Sequence, residues 1–131
     1  MTDTTLAELR IRRTLAAYCQ LVDDGEFHRL AGQFAPDGCF CYAGEVVTGR
    51  DALERWFART APRRPGKHLT MNAIVDITGD RAAVVSDFLF VRLIDGRVQP
   101  DLAGRYRDAF VKVGDEWLIQ RRDAQPMAPP T

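Results

Sequence analysis

Apolar residues in the first half of the chain recur at helical spacing. Residues 6–22 form an apolar stripe, made by Leu6, Leu9, Leu15, Ala16, Cys19 and Val22. This pattern predicts an amphipathic helix. Thr5 and Glu8 have the spacing of a capping box, and Gly25 is expected to end the helix because glycine accepts the left-handed conformation. Two further helices are predicted at about 26–34, before Pro36, and at about 50–60.

The second half of the chain alternates between polar and apolar residues. His68, Thr70 and Asn72 are polar, whereas the residues between and after them, Leu69, Met71, Ala73, Val75 and Ile77, are apolar. This alternation predicts a strand at 68–78 with two distinct faces. Further strands are predicted at 39–43, 46–48, 81–94, 102–113 and 117–124. The link 95–101 is predicted to be a mobile flap.

The order of these elements, helices first and sheet afterwards, predicts one α+β domain over residues 1–124. Residues 125–131 contain three prolines and are predicted to form a tail without regular structure. The chain of 131 residues is long enough to bury a core.

Charge and hydropathy narrow the range of partners. Lys plus Arg and Asp plus Glu both number 18, so no net charge favours nucleic acid or a membrane surface. No apolar run approaches the ~20 residues that cross a bilayer. The first residues lack the pattern of a signal peptide, and the cytoplasm is the expected compartment.

The cysteines and histidines do not form a recognisable ligand pattern. Cys19, Cys39 and Cys41 are an odd, unpatterned set, which is not typical of a disulfide framework. With His28 and His68 as the only histidines, a zinc site is not expected. We expect the thiols to pack as small apolar groups and predict no metal or cofactor.

Six short segments together resemble the SnoaL-like, or nuclear transport factor 2-like, superfamily. They are YCQLVDDGEF at 18–27, FAPDG at 34–38, GRDAL at 49–53, KHLTMN at 67–72, GRYRD at 104–108 and WLIQRR at 117–122. The resemblance covers about residues 6–122. It implies a cone-shaped α+β barrel, with a curved, mixed or antiparallel sheet wrapped over three N-terminal helices and a pocket at the open end.

The resemblance also implies candidate chemistry, since the dehydratase branch of this superfamily pairs an aspartate at the end of the first long helix with a histidine opening the first long strand. Asp23 and His68 occupy those positions, and Tyr18 matches a tyrosine of the bile-acid dehydratases. The serine and asparagine of the scytalone enzymes correspond to Gly104 and Tyr106, which leaves the substrate open. Family members also form homodimers, and we expect the same here.

The residue types support proton transfer independently of the family resemblance. A histidine has an ordinary pKa of about 6.5 and is a usable base at neutral pH, and a neighbouring carboxylate would fix its tautomer. His68 and Asp23 are therefore the predicted catalytic residues. We predict that Tyr18, Tyr42, Asn72 and Tyr106 bind the substrate, with a phenol stabilising the enolate oxygen.

Several alternatives remain open. Asp24 competes with Asp23, which could be a helix-end residue in an Asx turn, and His28 is predicted to lie on the surface. The Asp-Arg-Asp constellation of epoxide hydrolases could draw on Asp87, Arg105, Arg107, Asp108 and Asp123, and it ranks lower because alternation puts Arg105 and Asp108 on opposite faces. A cysteine nucleophile is not expected, because no base lies near the cysteines in the sequence.

The sequence thus predicts a small cofactor-independent lyase or isomerase, of dehydratase or cyclase type, acting on a hydrophobic polyketide-, steroid- or terpenoid-like substrate. The alternative is a non-catalytic protein that binds a small molecule. A third possibility is a small partner subunit of an oxygenase. Convergence of Asp23 and His68 in an apolar cavity that solvent can reach would favour the enzyme.

Overall fold

The protein begins with helices and continues into a large sheet. The computed structural model describes residues 3–61 and 66–128. The helices are α1 (Asp3–Asp23), α2 (Phe27–Ala31) and α3 (Arg50–Thr60). The strands are β1 (Phe34–Tyr42), β2 (Glu45–Thr48), β3 (Gly66–Thr78), β4 (Arg81–Ile94), β5 (Arg97–Val113) and β6 (Glu116–Pro126).

The six strands form one curved, open sheet in the order β2-β1-β6-β5-β4-β3. β1 and β6 are parallel, and every other neighbouring pair is antiparallel. The sheet wraps over the N-terminal helices, which confirms the predicted α+β class and the mixed, curved sheet.

The core lies between the helices and the concave face of the sheet. Large side chains that are almost wholly buried come from both layers, namely Ile11, Leu30, Phe34, Leu53, Val84, Phe110 and Ile119. The sheet contributes them at alternate positions, as a strand with one covered face requires. At one end of this core the packing opens into the cavity described below.

Two N-terminal predictions are wrong. α1 begins at Asp3, so Thr5 lies inside the helix and is not its N-cap. α2 ends at Ala31, and Phe34 already belongs to β1, where it pairs with Ile119 of β6. Pairing with a central strand therefore determines the conformation here, rather than the apolar spacing of residues 26–34.

The predicted flap at 95–101 is also wrong. β4 and β5 continue through this segment and join at Asp95-Gly96, whose φ angles are 52° and 74°. Two positive φ angles are typical of a type I′ turn, for which Asp-Gly is a preferred sequence. Gln125 and Pro126 likewise belong to β6, so the prediction that an irregular tail begins at residue 125 is wrong.

β3 contains a bulge that reverses its two faces. Met71 pairs with Asp87 but Ile74 pairs with Val85, so β3 has one residue more than β4 in this interval. Asn72, in the bulge, has a φ of 56°. Before the bulge, Leu69 and Met71 face outward; after it, Ala73, Val75 and Ile77 pack against the core while Ile74 is exposed. Among the described residues, no helix combines the length and apolar character of a membrane span.

Candidate active site

Asp23 and His68 meet where the last turn of α1 faces the start of β3. Oδ1 of Asp23 lies 2.6 Å from Nδ1 of His68. The backbone N–H of His68 also donates to both carboxylate oxygens, at 3.1 and 3.0 Å. The side chains are 5% and 18% exposed, respectively. The carboxylate therefore holds both the strand end and the ring, while the ring stays accessible.

This arrangement selects one tautomer of the imidazole. A carboxylate accepts a hydrogen bond from Nδ1–H of His68, and this leaves the lone pair of the neutral ring on Nε2. The ring also packs against Phe90, its pairing partner on β4, with ring centroids 4.5 Å apart. Both ring plane and tautomer are thus fixed, as positioned acid–base catalysis requires.

The His68 ring borders an aromatic cavity of about 260 Å³ on the concave side of the sheet. Its walls include Tyr18, Tyr42, Trp56, Phe88, Phe90 and Tyr106. On the opposite side the ring borders a larger groove of about 540 Å³, between α1 and β3, whose lining includes Arg12, Asp24 and Lys67. The aromatic cavity suits an apolar ligand, whereas the charged groove mixes ionic side chains with apolar ones such as Leu15 and Ala73.

The three predicted tyrosines all line the aromatic cavity. Tyr18 and Tyr106 are almost wholly buried, and their rings meet edge to face at 6.2 Å. Burial raises the pKa of Tyr106 to about 12 and raises that of Tyr18 well above its ordinary value. Both phenols therefore keep their protons at neutral pH and can donate hydrogen bonds to a developing oxyanion.

Asn72 does not line this cavity, which corrects its predicted role in substrate binding. The β3 bulge turns it to the exposed side, where its Nδ2–H donates to Asp87 Oδ2 at 3.0 Å. Arg105 Nε–H donates to the other oxygen of Asp87 at 2.9 Å. The prediction extended the alternation from His68 without the extra residue, and that residue reverses the face.

A second pair of ionisable residues lies deeper in the core. Arg122 Nε is 3.1 Å from Asp108 Oδ1, and both side chains are 0% exposed. The contact has the distance of an ion pair without the geometry of a hydrogen bond. Within the described residues, no nitrogen of the Arg122 guanidinium and neither Asp108 oxygen has a hydrogen-bond partner.

The Arg122 guanidinium carbon lies 3.5 Å from the centroid of the Tyr106 ring and 4.1 Å from that of Tyr18. These cation–π contacts hold the two rings that separate Arg122 from the cavity. Burial raises the pKa of Asp108 to about 6, against the opposing effect of Arg122. Sequence reasoning missed Arg122, because a register shift near Ile119 places it, rather than Arg121, inside the sheet.

The residues of the epoxide-hydrolase alternative are divided between the two faces of the sheet. Asp87 pairs with Arg105 on the outer face, whereas Asp108 pairs with Arg122 inside. Asp123 accepts a weak hydrogen bond from Gln125 at 3.5 Å. The predicted Asp-Arg-Asp set therefore does not gather in one cavity.

The remaining candidates lie away from the cavity or are poorly reactive. Asp24 is exposed in the charged groove, and the side chain of His28 is 91% exposed beside Glu54. Burial raises the pKa of the Cys19 thiol, which shares a hydrogen bond with Thr70 at 3.2 Å. Within residues 3–61 and 66–128, no three His, Cys, Asp or Glu side chains cluster as metal ligands.

Solved structures share this architecture. A variant of a Mycobacterium tuberculosis protein of unknown function is 27% identical, with a TM-score of 0.90, over 95% of this chain and 74% of that one. A candidate scytalone dehydratase from Novosphingobium aromaticivorans is 29% identical, with a TM-score of 0.81, over 98% and 89% of the two chains. A nuclear transport factor 2-like protein with a cystatin-like fold from Novosphingobium aromaticivorans is 23% identical over 94% and 88%, with a TM-score of 0.83.

No curated protein matches this sequence. The SnoaL-like domain family, in contrast, matches residues 3–123. That range includes both members of the Asp23–His68 pair and every element from α1 to most of β6. The chain therefore belongs to the SnoaL-like family.

Proposed function

We propose that the protein is a cofactor-independent lyase or isomerase, of dehydratase or cyclase type, that moves a proton on an apolar, oxygenated ring compound. The observation that carries this proposal is the 2.6 Å contact between Asp23 and His68 at the wall of an aromatic cavity. Similarity to a candidate scytalone dehydratase supports the same class of reaction.

In the proposed reaction, Nε2 of His68 removes a proton from the carbon next to a carbonyl group. Asp23 accepts the Nδ1–H hydrogen bond and stabilises the imidazolium that forms. The C–H electron pair moves into the enolate, whose oxygen accepts a hydrogen bond from a tyrosine such as Tyr18 or Tyr106. In a dehydratase, His68 then returns the proton to the β-hydroxyl, the C–O bond breaks, and water leaves as the double bond forms.

The volume of the cavity favours a small substrate. Small-molecule pockets typically measure about 300–1,000 Å³, and this cavity is about 260 Å³. One or two fused rings suit that space better than the four rings of a steroid. We therefore place the substrate among mono- and bicyclic ketones and hydroxyketones.

The proposal can be tested without knowing the natural substrate. 2-Tetralone has acidic hydrogens next to its carbonyl, and their exchange in D2O can be followed by proton NMR. The wild-type protein should accelerate this exchange, and His68→Ala should lower the catalysed rate by about 100-fold or more. His28→Ala is the matched control, because that histidine is exposed and does not line the cavity.

Full exchange activity in His68→Ala would contradict the proposal. Tight binding of bicyclic ketones without any catalysed exchange would instead support the alternative of a non-catalytic small-molecule-binding protein. Circular dichroism should show the same fold for both histidine variants, so that the rates are comparable.

We further propose that the chain forms a homodimer through the outer face of the sheet. Leu69, Met71 and Ile74 are 45%, 36% and 63% exposed on β3, and a cluster of large apolar side chains on a surface favours association. Sedimentation should show a dimer that Ile74→Asp dissociates. Val98→Asp is the control on the β4–β5 hairpin, and a monomeric wild type would contradict this proposal.

A further inference from the structure

Arg92 and Asp101 bring charge into the largely aromatic lining of the cavity. The inward-facing residues at the end of β4 are Phe88, Phe90 and Arg92, and all three line the aromatic cavity. Arg92 is 23% exposed, and its Nη2–H donates to Asp101 Oδ1 at 2.7 Å. Asp101 is directed towards the cavity because it is the extra residue of β5 at a register shift.

The Arg92 guanidinium has more donors than Asp101 uses. Its Nε–H is buried and, within the described residues, has no hydrogen-bond partner. A guanidinium carries five N–H donors, and an enclosed donor without an acceptor is unfavourable. Because Nε is inaccessible and Nη2 already donates to Asp101, the donors left for a ligand oxygen in the cavity are the other N–H groups on the two Nη atoms.

His68 and Arg92 are two polar residues in the lining of the cavity, and their positions on paired strands give their separation. On the paired strands, His68 faces Phe90 and Gly66 faces Arg92. Arg92 is therefore two residues along the strand from the level of His68, which corresponds to about 7 Å at the usual rise of a strand. That length is roughly the width of a ring system.

The charge of the pair decides what kind of oxygen fits. Asp101 already balances the charge of Arg92, so an anionic ligand would be attracted by one residue and repelled by the other at similar distance. A neutral acceptor, such as a ketone oxygen, accepts the free N–H without that repulsion. The Arg92–Asp101 pair thus favours carbonyl over carboxylate.

We infer that Arg92 and Asp101 form a specificity subsite for a second, neutral carbonyl oxygen, about one ring width from the carbon at which His68 acts. This inference rests on the proposed function, which assigns the aromatic cavity to the substrate. It narrows the substrate to mono- or bicyclic compounds that carry an oxygen at each end.

Binding of three compounds of matched shape tests this subsite. The compounds are 2-naphthol, 6-acetyl-2-naphthol and 6-hydroxy-2-naphthoate, and calorimetry gives their Kd values. The wild type should bind the acetyl compound about tenfold or more tighter than 2-naphthol, as a hydrogen bond to a charged group allows. The carboxylate should bind no better than 2-naphthol.

Two variants and a control isolate each partner. Arg92→Met should remove the advantage of the acetyl compound while retaining 2-naphthol binding. Asp101→Asn should tighten binding of the carboxylate by about tenfold, because it removes the repelling charge. Arg97→Met replaces an exposed arginine of the same hairpin and should change none of the three Kd values.

The inference is overturned if Arg92→Met keeps the preference for the acetyl compound, if it weakens all three ligands equally, or if the wild type prefers the carboxylate. These results are independent of catalysis, since ligand preference is measured by binding and proton transfer by exchange in 2-tetralone. His68→Ala should therefore lose exchange but keep the preference for the acetyl compound.

Discussion

The protein contains two pairs of ionisable side chains that contribute very differently. Asp23 and His68 share a short hydrogen bond, and the histidine ring is 18% exposed at the cavity. Asp108 and Arg122 are 0% exposed, and their polar atoms lack hydrogen-bond partners within the described residues. We propose that the first pair exchanges a proton with a ligand, whereas the second contacts the tyrosine wall from behind.

The difference shows that burial of charge alone does not identify a reactive group. A strongly shifted pKa is a common sign of a functional site, and here Asp108, with a pKa raised to about 6, lies behind Tyr18 and Tyr106 rather than in the cavity. The two pairs differ in their access to the aromatic cavity, which His68 lines and which neither Asp108 nor Arg122 reaches. Variants of each pair should therefore separate stability from activity.

The largest expected effect on stability comes from breaking the buried pair. Arg122→Met leaves the Asp108 carboxyl without its partner, and loss of one member of a buried pair typically costs about 3–5 kcal/mol. Urea denaturation at pH 7.5 should show this loss. The double variant Arg122→Met/Asp108→Leu should recover much of it, since it removes both charges, and a further loss in the double variant would contradict this account.

The buried pair should also make stability depend on pH. The pKa of Asp108 is raised to about 6 in the folded protein, against about 3.9 in an unfolded chain. Its favourable contribution is therefore complete below about pH 4 and is lost as the pH rises through about 6. Between pH 4 and pH 7.5 the wild type should lose about 2–3 kcal/mol that Asp108→Asn does not lose, in addition to any pH-independent cost of leaving Arg122 without its charged partner. Parallel stability curves for the two proteins would contradict this expectation.

A smaller effect on stability is expected at the cavity pair. Asp23→Asn keeps the shape of the side chain and one acceptor but removes the charge that strengthens its hydrogen bonds to His68. We expect a loss of about 1–2 kcal/mol in the free energy of unfolding, together with slower exchange in 2-tetralone. Asp24→Asn alters the exposed residue that follows Asp23 and is the matched control. It should change the free energy of unfolding and the exchange rate little.

The smallest effect is expected at Asn72, outside both pairs. Asn72 has a φ of 56°, so Asn72→Ala should cost about 1 kcal/mol because alanine disfavours this conformation. Asn72→Gly should avoid most of that cost. Neither variant should slow exchange in 2-tetralone, and a large loss of activity would contradict the placement of Asn72 outside the site.

Local patterns in the sequence predicted the elements better than the faces they present. The alternation after His68 identified β3, and the Asp23–His68 convergence followed from the family resemblance. The same alternation misplaced Asn72, since a bulge adds one residue to β3. At Arg122 a register shift in β6 had the same consequence. Bulges depend on pairing between strands, and the alternation along a single strand carries little trace of them.

The Asp95–Gly96 turn shows a different limit. Its sequence is a preferred type I′ turn, but Gly96 and Pro100 together favoured a loop over 95–101. The pairing of β4 with β5 continues through this segment. Proline is tolerated in a strand where a bulge interrupts the ladder, as at Asp101 here.

The central claim is that Asp23 and His68 act as one unit, and a double-mutant cycle on 2-tetralone exchange tests it most directly. If Asp23 acts through His68, Asp23→Asn should slow the wild-type protein but should not slow His68→Ala any further, so the double variant should equal His68→Ala. Independent, multiplying losses in the double variant would contradict the claim.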